Sequence, residues 1–182
     1  AVMTIISKVE LHQFYFEAEN LAPSAQGSSI GGLYYEKGAK TPITKYAIRI
    51  TTDDGCQGSY VVNWGASAAV FGQMQMLAPM LVGRHAEERV GIYDDLKREI
   101  RQFDHMGHGP LDIALWDWQG RALGCSISTL LGGYRKQMPA YASTYHGDRN
   151  GGLDCKEAFA DFAPHAMQEA IKDAVFFRIT SK

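Results

Sequence analysis

The chain has 182 residues, of which 46% are hydrophobic, enough to bury a core in one large domain or in one domain plus part of another. Its 18 basic and 20 acidic residues balance without a long run of either sign, so it lacks the electrostatic footprint of a nucleic-acid or membrane-surface binder. Cys56, Cys125 and Cys155 are odd in number, far apart and without a C-x-x-C pair, which argues against a disulfide framework or cysteine zinc site and makes a reducing cytoplasm the expected setting.

Lys8, Glu10 and His12 interrupt the apolar residues of the first strand-like stretch, so it predicts neither a signal peptide nor a membrane span. From Ile5 to Glu19 the pattern alternates loosely, ending in Phe14, Tyr15 and Phe16, and predicts a long strand. Residues 20–41 hold Pro23, Ser24, Gly27, Gly31, Gly32 and Gly38, a loop-forming composition, and a loop of about 20 residues in a compact domain is often functional. Ile43 to Thr52 alternates with Tyr46, Ile48 and Ile50 on one face, and Asp54-Gly55 supplies a hairpin turn into a third strand, Cys56 to Trp64. Together these strands predict an antiparallel meander.

Ala66 to Leu81 is helical in composition, with Val70, Met74, Leu77 and Leu81 on one face and Pro79 disturbing the last turn. Met74, Met76 and Met80 read as core filling, not as a cofactor box. After Gly83, a second helix is predicted over Ala86 to Phe103, with Tyr93, Leu96, Ile100 and Phe103 as its buried stripe. Its opposite side, including Glu87, Asp94, Lys97 and Arg98, reads as a solvated face. A third helix follows Pro110, where Leu111, Leu115, Trp118 and Ala122 recur at helical spacing and Ile113, Trp116 and Leu123 leave few polar positions between them. Such a helix is expected to be buried nearly all round. Asp117 precedes Arg121 by four residues as an intrahelical pair, and Gly124 is placed to end the helix. Beyond Ile127 to Leu131, Gly132-Gly133 forces a turn and Met138 to Thr144 reads as a strand. A helix over Glu157 to Asp173 and a strand over Ala174 to Thr180 then complete one β-α-β unit.

Ala114-Leu115-Trp116-Asp117, Gly120, Gly124, Leu130-Leu131-Gly132-Gly133 and the strand Pro139-Ala140-Tyr141-Ala142-Ser143 resemble a junction found in the mandelate racemase and muconate lactonizing enzyme group of the enolase superfamily. There, an α+β capping domain passes into a (β/α) barrel. The resemblance implies a capping domain over residues 1–136, a three-stranded antiparallel meander followed by a helical bundle. Residues 137–182 would be the start of the barrel domain, truncated after its first β-α-β unit, because an eight-fold barrel takes about 250 residues.

The resemblance also implies a chemistry. In this family a magnesium ion binds the substrate carboxylate and stabilises the enolate formed when a base removes the α-proton, a step that needs concentrated positive charge. The outcome is racemisation, cycloisomerisation or dehydration of a hydroxy or sugar acid. The three carboxylate metal ligands of the family lie on the third, fourth and fifth barrel strands, which would fall after Lys182, so no residue here is assigned as a metal ligand. The chain alone is therefore expected to bind no Mg2+ and to be inactive.

A Lys-x-Lys motif of the second barrel strand aligns with Arg178-Ile179-Thr180, and here the chain departs from the family. Arginine can hold a carboxylate but stays protonated, and Thr180 cannot replace a lysine base. His146, in Tyr145-His146-Gly147-Asp148, would follow the first barrel strand at its C-terminal end, the face on which barrel active sites sit. It can orient a carboxylate or relay a proton there, or simply face solvent. The catalytic candidates are thus Arg178, Thr180 and His146. By position, the family's substrate-choosing loops contain Tyr34 and Tyr35 in one case and Tyr60, Asn63 and Trp64 in the other, although aromatics there would serve equally as domain packing.

Asp104, His105 and His108 are not assigned as a metal site, since Gly107 and Gly109 mark a helix connection with no fourth ligand in a defined place. The sequence has no Gly-rich phosphate loop, no nucleophile elbow and no paired metalloprotease histidines. A second class of function stays open, a non-catalytic binding or assembly module in which a partner or second copy covers the edges of the β-α-β segment. Oligomers are common in the family, and a homo-oligomer is the expected state.

Overall fold

The computed structural model describes residues 3–23, 33–62 and 67–134 together with 163, 164 and 167, except for the side chains of Tyr34, Tyr35 and Ser67. Three strands, β1 (Ile6–Pro23), β2 (Leu33–Thr52) and β3 (Gln57–Val61), form one antiparallel sheet in the order β1-β2-β3. Helix α1 (Ser67–Leu77) runs into a 3₁₀ turn at Ala78–Met80, and α2 (Arg89–Glu99), α3 (His108–Leu123) and the short α4 (Ile127–Leu130) follow. The chain divides into two compact units, Ala1–Tyr15 with Thr44–Gly133, and Phe16–Ile43 with Tyr134–Lys182.

The first unit holds a hydrophobic core of sheet and helix residues. Tyr46, Ile48 and Ile50 of β2 join Val70, Met74 and Leu77 of α1, Ile92 and Leu96 of α2, and Leu111, Ala114, Leu115 and Trp118 of α3. Each large apolar side chain so buried stabilises the unit by about 1.5–3 kcal/mol before the entropy cost of ordering it. The segment after α1 covers the outer edge at the start of β1, where Ile6 N–H donates to Arg84 O and Gly83 N–H donates to Ile6 O, each at 2.9 Å. Glu87 accepts from the N–H and hydroxyl of Thr4, which fastens the beginning of the chain to the same segment.

Three helix expectations need correction. The 66–81 helix ends at Leu77 and tightens into the 3₁₀ turn because Pro79 lacks the N–H that an α-helical bond requires. The 86–103 helix is shorter, and its buried stripe is Ile92, Leu96 and Ile100. After Glu99, tight turns close through Arg98 O and Ile100 O, so Phe103 leaves the helical register and is 55% exposed, while Tyr93 is 37% exposed. Helix α3 is not buried all round. One stripe carries Leu111, Ala114, Leu115 and Trp118, whereas Ala122 is exposed and Leu123 is 61% exposed. Apolar composition alone does not select a face. Gly124 ends α3 as expected, its backbone left-handed at φ 63° and its N–H bonded to Arg121 O.

In the second unit, residues 20–23 and 33–41 are strand where composition predicts loop. Local polar bonds tie these two strand segments together. Asn20, with φ 58°, accepts from Gly38 N–H through Oδ1 at 2.9 Å, and Thr41 Oγ1 donates to Leu21 O at 2.6 Å. Gly38, with φ 79°, takes a left-handed turn of the backbone that glycine adopts without strain. The stretch 24–32 lies outside the described residues, as do the predicted strands Met138 to Thr144 and Ala174 to Thr180. Ala163, Pro164 and Met167 are helical, within the span predicted for the Glu157 to Asp173 helix.

Candidate functional site

Of the residues expected to face a substrate, Tyr60 is the one whose side chain is described, and its position follows from strand register. Strand β3 pairs antiparallel with β2 through Ile50↔Gly58, Arg49↔Ser59 and Ile48↔Tyr60. Directly paired residues share a sheet face, so buried Ile48 and Ile50 bring Tyr60 and Gly58 to the core side. Tyr60 is half-buried and packs against the core margin, one residue before the exposed Val61. The strand leads directly into residues 63–66.

Helix α3 holds β3 from the side opposite β2. At Gly58 the two backbones approach so closely that an added Cβ would lie 2.2 Å from Ala114 O and 2.4 Å from Trp118 N. Ser59 N–H points outward from the sheet and donates to Asp117 Oδ2 at 2.9 Å, so a carboxylate occupies the edge position of a further strand. The same oxygen accepts from Arg121 Nε at 3.0 Å, the predicted pair four residues along the helix.

A second tie fixes the turn before β3. Trp118 Nε1 donates to Thr52 Oγ1 at 3.0 Å, and the Thr52 hydroxyl donates to Asp54 Oδ1 at 2.6 Å. Asp54 Oδ1 also accepts from Cys56 N–H at 3.0 Å, closing the hairpin turn. The Thr52 hydroxyl and then the Cys56 N–H hold the Asp54 carboxyl below its usual range. Burial, followed by the Asp54 charge, pushes the Cys56 thiol up, which suits a packing residue and not a thiolate nucleophile. The described part of the site therefore positions a strand and supplies no acid–base pair of its own.

Tyr34 and Tyr35 lie in the β2 backbone instead of a loop, and their side chains are outside the described set. Asn63, Trp64, His146, Arg178 and Thr180 also lie outside the described residues. His105 and His108 stand apart in character. The first is exposed beside Asp104, whose Oδ1 accepts from His105 N–H at 2.6 Å, and the second is buried at the start of α3. Sequence reading missed the roles of Gly58, Thr52 and Asp117. A glycine inside a predicted strand signals close backbone approach, and Thr52-x-Asp54 before Gly55 signals a side-chain-closed turn. Nothing local announces that Asp117 reaches β3.

Residues 41–132 match the family described as "Mandelate racemase / muconate lactonizing enzyme, N-terminal domain". The chain belongs to this family. Within the mandelate racemase and muconate lactonizing enzyme family, and so within the enolase superfamily, its curated relatives include two cycloisomerases. It is 29% identical over 137 residues to 3,6-anhydro-alpha-L-galactonate cycloisomerase from Streptomyces coelicolor, covering 71% of this chain and 36% of that protein. It is 33% identical over 109 residues to D-galactarolactone cycloisomerase from Agrobacterium fabrum, covering 53% of this chain and 27% of that protein. The chain thus spans about a third of these relatives or less. Among solved structures, D-glucarate dehydratase from Agrobacterium tumefaciens, complexed with magnesium, matches with a TM-score of 0.67 and 24% identity over 91% of this chain and 42% of that one. At that identity the likeness shows the shared fold.

Proposed function

We propose that this chain is the N-terminal portion of a sugar-acid enzyme of the enolase superfamily, a cycloisomerase or dehydratase whose parent reaction removes a proton α to a carboxylate. The observation that carries this reading is the family match across 41–132, supported by sugar-acid chemistry in the names of its relatives. The described residues contribute a support for strand β3, which precedes the substrate-choosing positions Asn63 and Trp64. Asp117 and Trp118 hold β3 and its turn, and Tyr60 shortly precedes Asn63 and Trp64 in the sequence. Tyr34 and Tyr35, on β2, would be the other substrate-choosing positions.

Among the described residues, no three His, Cys, Asp or Glu side chains gather to hold a metal ion. They do not fit the family's magnesium site, and no step of the reaction is assigned to them through it. By the family resemblance, that site would belong to later barrel strands, and a sample of these 182 residues alone is expected to be inactive.

The test has two parts. The verified 20.1 kDa chain is incubated with magnesium and a panel of hydroxy acids, sugar acids and sugar-acid lactones, with proton NMR as the readout. No turnover is expected, and turnover would refute the claim of inactivity. Residues 1–136 then replace the capping domain of the Streptomyces coelicolor cycloisomerase. A folded chimera is expected to keep magnesium-dependent turnover with altered KM values across the panel, and one that neither binds nor converts any sugar acid would refute the capping role.

A second reading, as an assembly module, is favoured by one observation. Tyr15 is 77% exposed and Phe14 is 43% exposed on neighbouring positions of β1. Light scattering tests it, because a monodisperse monomer at high concentration would exclude self-association through that strand.

A further inference from the structure

Helices α2 and α3 meet at an aromatic and charged corner. Arg89, at the start of α2, lays its guanidinium 3.4 Å over the Trp116 ring and pairs with Asp112 Oδ1 at 3.2 Å. About one turn further along, the ring of Tyr93 meets the imidazole of His108 edge to face, with centroids 4.3 Å apart. His108 is only 5% exposed, and its Nε2 has no hydrogen-bond partner. It also opens α3 directly after the N-cap Gly107, where free N–H groups and the helix dipole disfavour positive charge.

The α1 helix closes the same corner. Gly107 N–H donates to Gln73 Oε1 at 2.7 Å, and a Cβ on Gly107 would lie 2.3 Å from Gln73 Cβ. A neutral imidazole fits this setting. A protonated one would bury an N–H without an acceptor and a charge at the wrong end of a helix.

We propose that His108 is an acid-sensitive latch on the α2–α3 corner, closed when the imidazole is neutral and opened locally when it is protonated, while the sheet stays folded. The charges that act on it come from each neighbouring segment. Asp112 on α3 favours protonation but is engaged by Arg89, whereas His105 in the preceding turn and Lys97 on α2 oppose it. Lys97 Nζ lies 5.8 Å from the Tyr93 ring, and α1 carries no charged residue between Ser67 and Leu77. Burial outweighs Asp112 and a hydrogen bond to the Tyr93 backbone, both of which favour protonation, and lowers the imidazole below the ordinary histidine value. The folded state therefore binds its proton less readily than the opened state. Closure is fully favoured above pH 6.5 and is lost as the pH falls from there toward the lowered folded value. Because α3 also carries Asp117 and Trp118, the latch sits on the helix that holds β3.

The test uses the 182-residue chain, following the His108 imidazole by NMR from about pH 8 to about pH 5 alongside amide protection factors. His108 is expected to titrate below 6.5. Protection at residues 93–97 and 108–112 should fall by up to about tenfold per pH unit in that window, the limit for one linked proton, while the β2–β3 amides hold. H108Q keeps a polar side chain without titration and should flatten the dependence, whereas H105Q should preserve it. An imidazole that titrates at or above 6.5, or a pH dependence that survives in H108Q, overturns the proposal. If H108Q does not fold, the wild-type imidazole titration and amide profile decide the question.

Discussion

Replacing Gly58 with alanine should destabilise the first unit, although strand propensity alone points the other way. Alanine in a strand interior is ordinarily favoured over glycine by about 0.5–1 kcal/mol because glycine loses more backbone freedom on folding. Here the new methyl would lie 2.2 Å from Ala114 O, 2.4 Å from Trp118 N and 2.6 Å from Trp118 Cβ. Two of these contacts are helix backbone, which cannot rotate away. Relief requires α3 to retreat from β3 by about 1 Å, and overpacking of this kind typically costs about 1–3 kcal/mol. That retreat also stretches the Trp118 Nε1 to Thr52 Oγ1 bond, now 3.0 Å, and the Ser59 N–H to Asp117 bond, now 2.9 Å. Each typical hydrogen bond contributes about 0.5–1.5 kcal/mol net, so a total loss of roughly 2–4 kcal/mol is expected. Urea denaturation followed by near-UV circular dichroism measures it, with the midpoint falling and the slope unchanged. S59A, at an exposed neighbouring position on the same strand, is the control. A G58A protein within about 0.5 kcal/mol of the parent would mean that α3 does not seat on β3 as described.

Three further outcomes follow from the same contacts. Thr52→Val keeps the shape of a buried side chain but leaves Trp118 Nε1 without its acceptor, and should cost about 1–3 kcal/mol in urea titration. Asp117→Ala should speed exchange of the Ser59 amide and cost about 1 kcal/mol, below the usual range of about 1.5–3 kcal/mol for a bond to a charged group because Asp117 is 26% exposed, with Asp117→Asn restoring part of the protection. Asp54 has a folded pKa below its ordinary 3.8, so its bonds contribute stability above that pH and lose it as the pH falls through the lowered value. An acid unfolding profile should show this limb, and D54N should remove it. An unchanged limb in D54N would assign it to another carboxylate.

The candidate site was legible in part. The Asp54-Gly55 turn and alternating β2 located Tyr60 in a third strand, because turn chemistry and period-two patterning are local properties. Its half-buried, core-facing orientation required the register with Ile48 and Ile50. Asp117 was visible as a partner for Arg121 at helical spacing, yet its bond to Ser59 joins residues 58 apart in sequence. No local rule reports such a bond.

The sequence by itself determined the three-stranded meander, the succession of helices, the stop at Gly124 and the family, which matches over residues 41–132. Periodicity, breaker residues and short motifs encode these features within a few turns of chain. Only the tertiary structure decided that Ile92 replaces Tyr93 in the α2 stripe, that Leu123 is exposed, that Gly58 meets a helix backbone and that residues 20–23 and 33–41 extend the sheet. Each depends on which distant surface arrives against a segment. Composition records that a residue can be buried, and packing chooses which residues are.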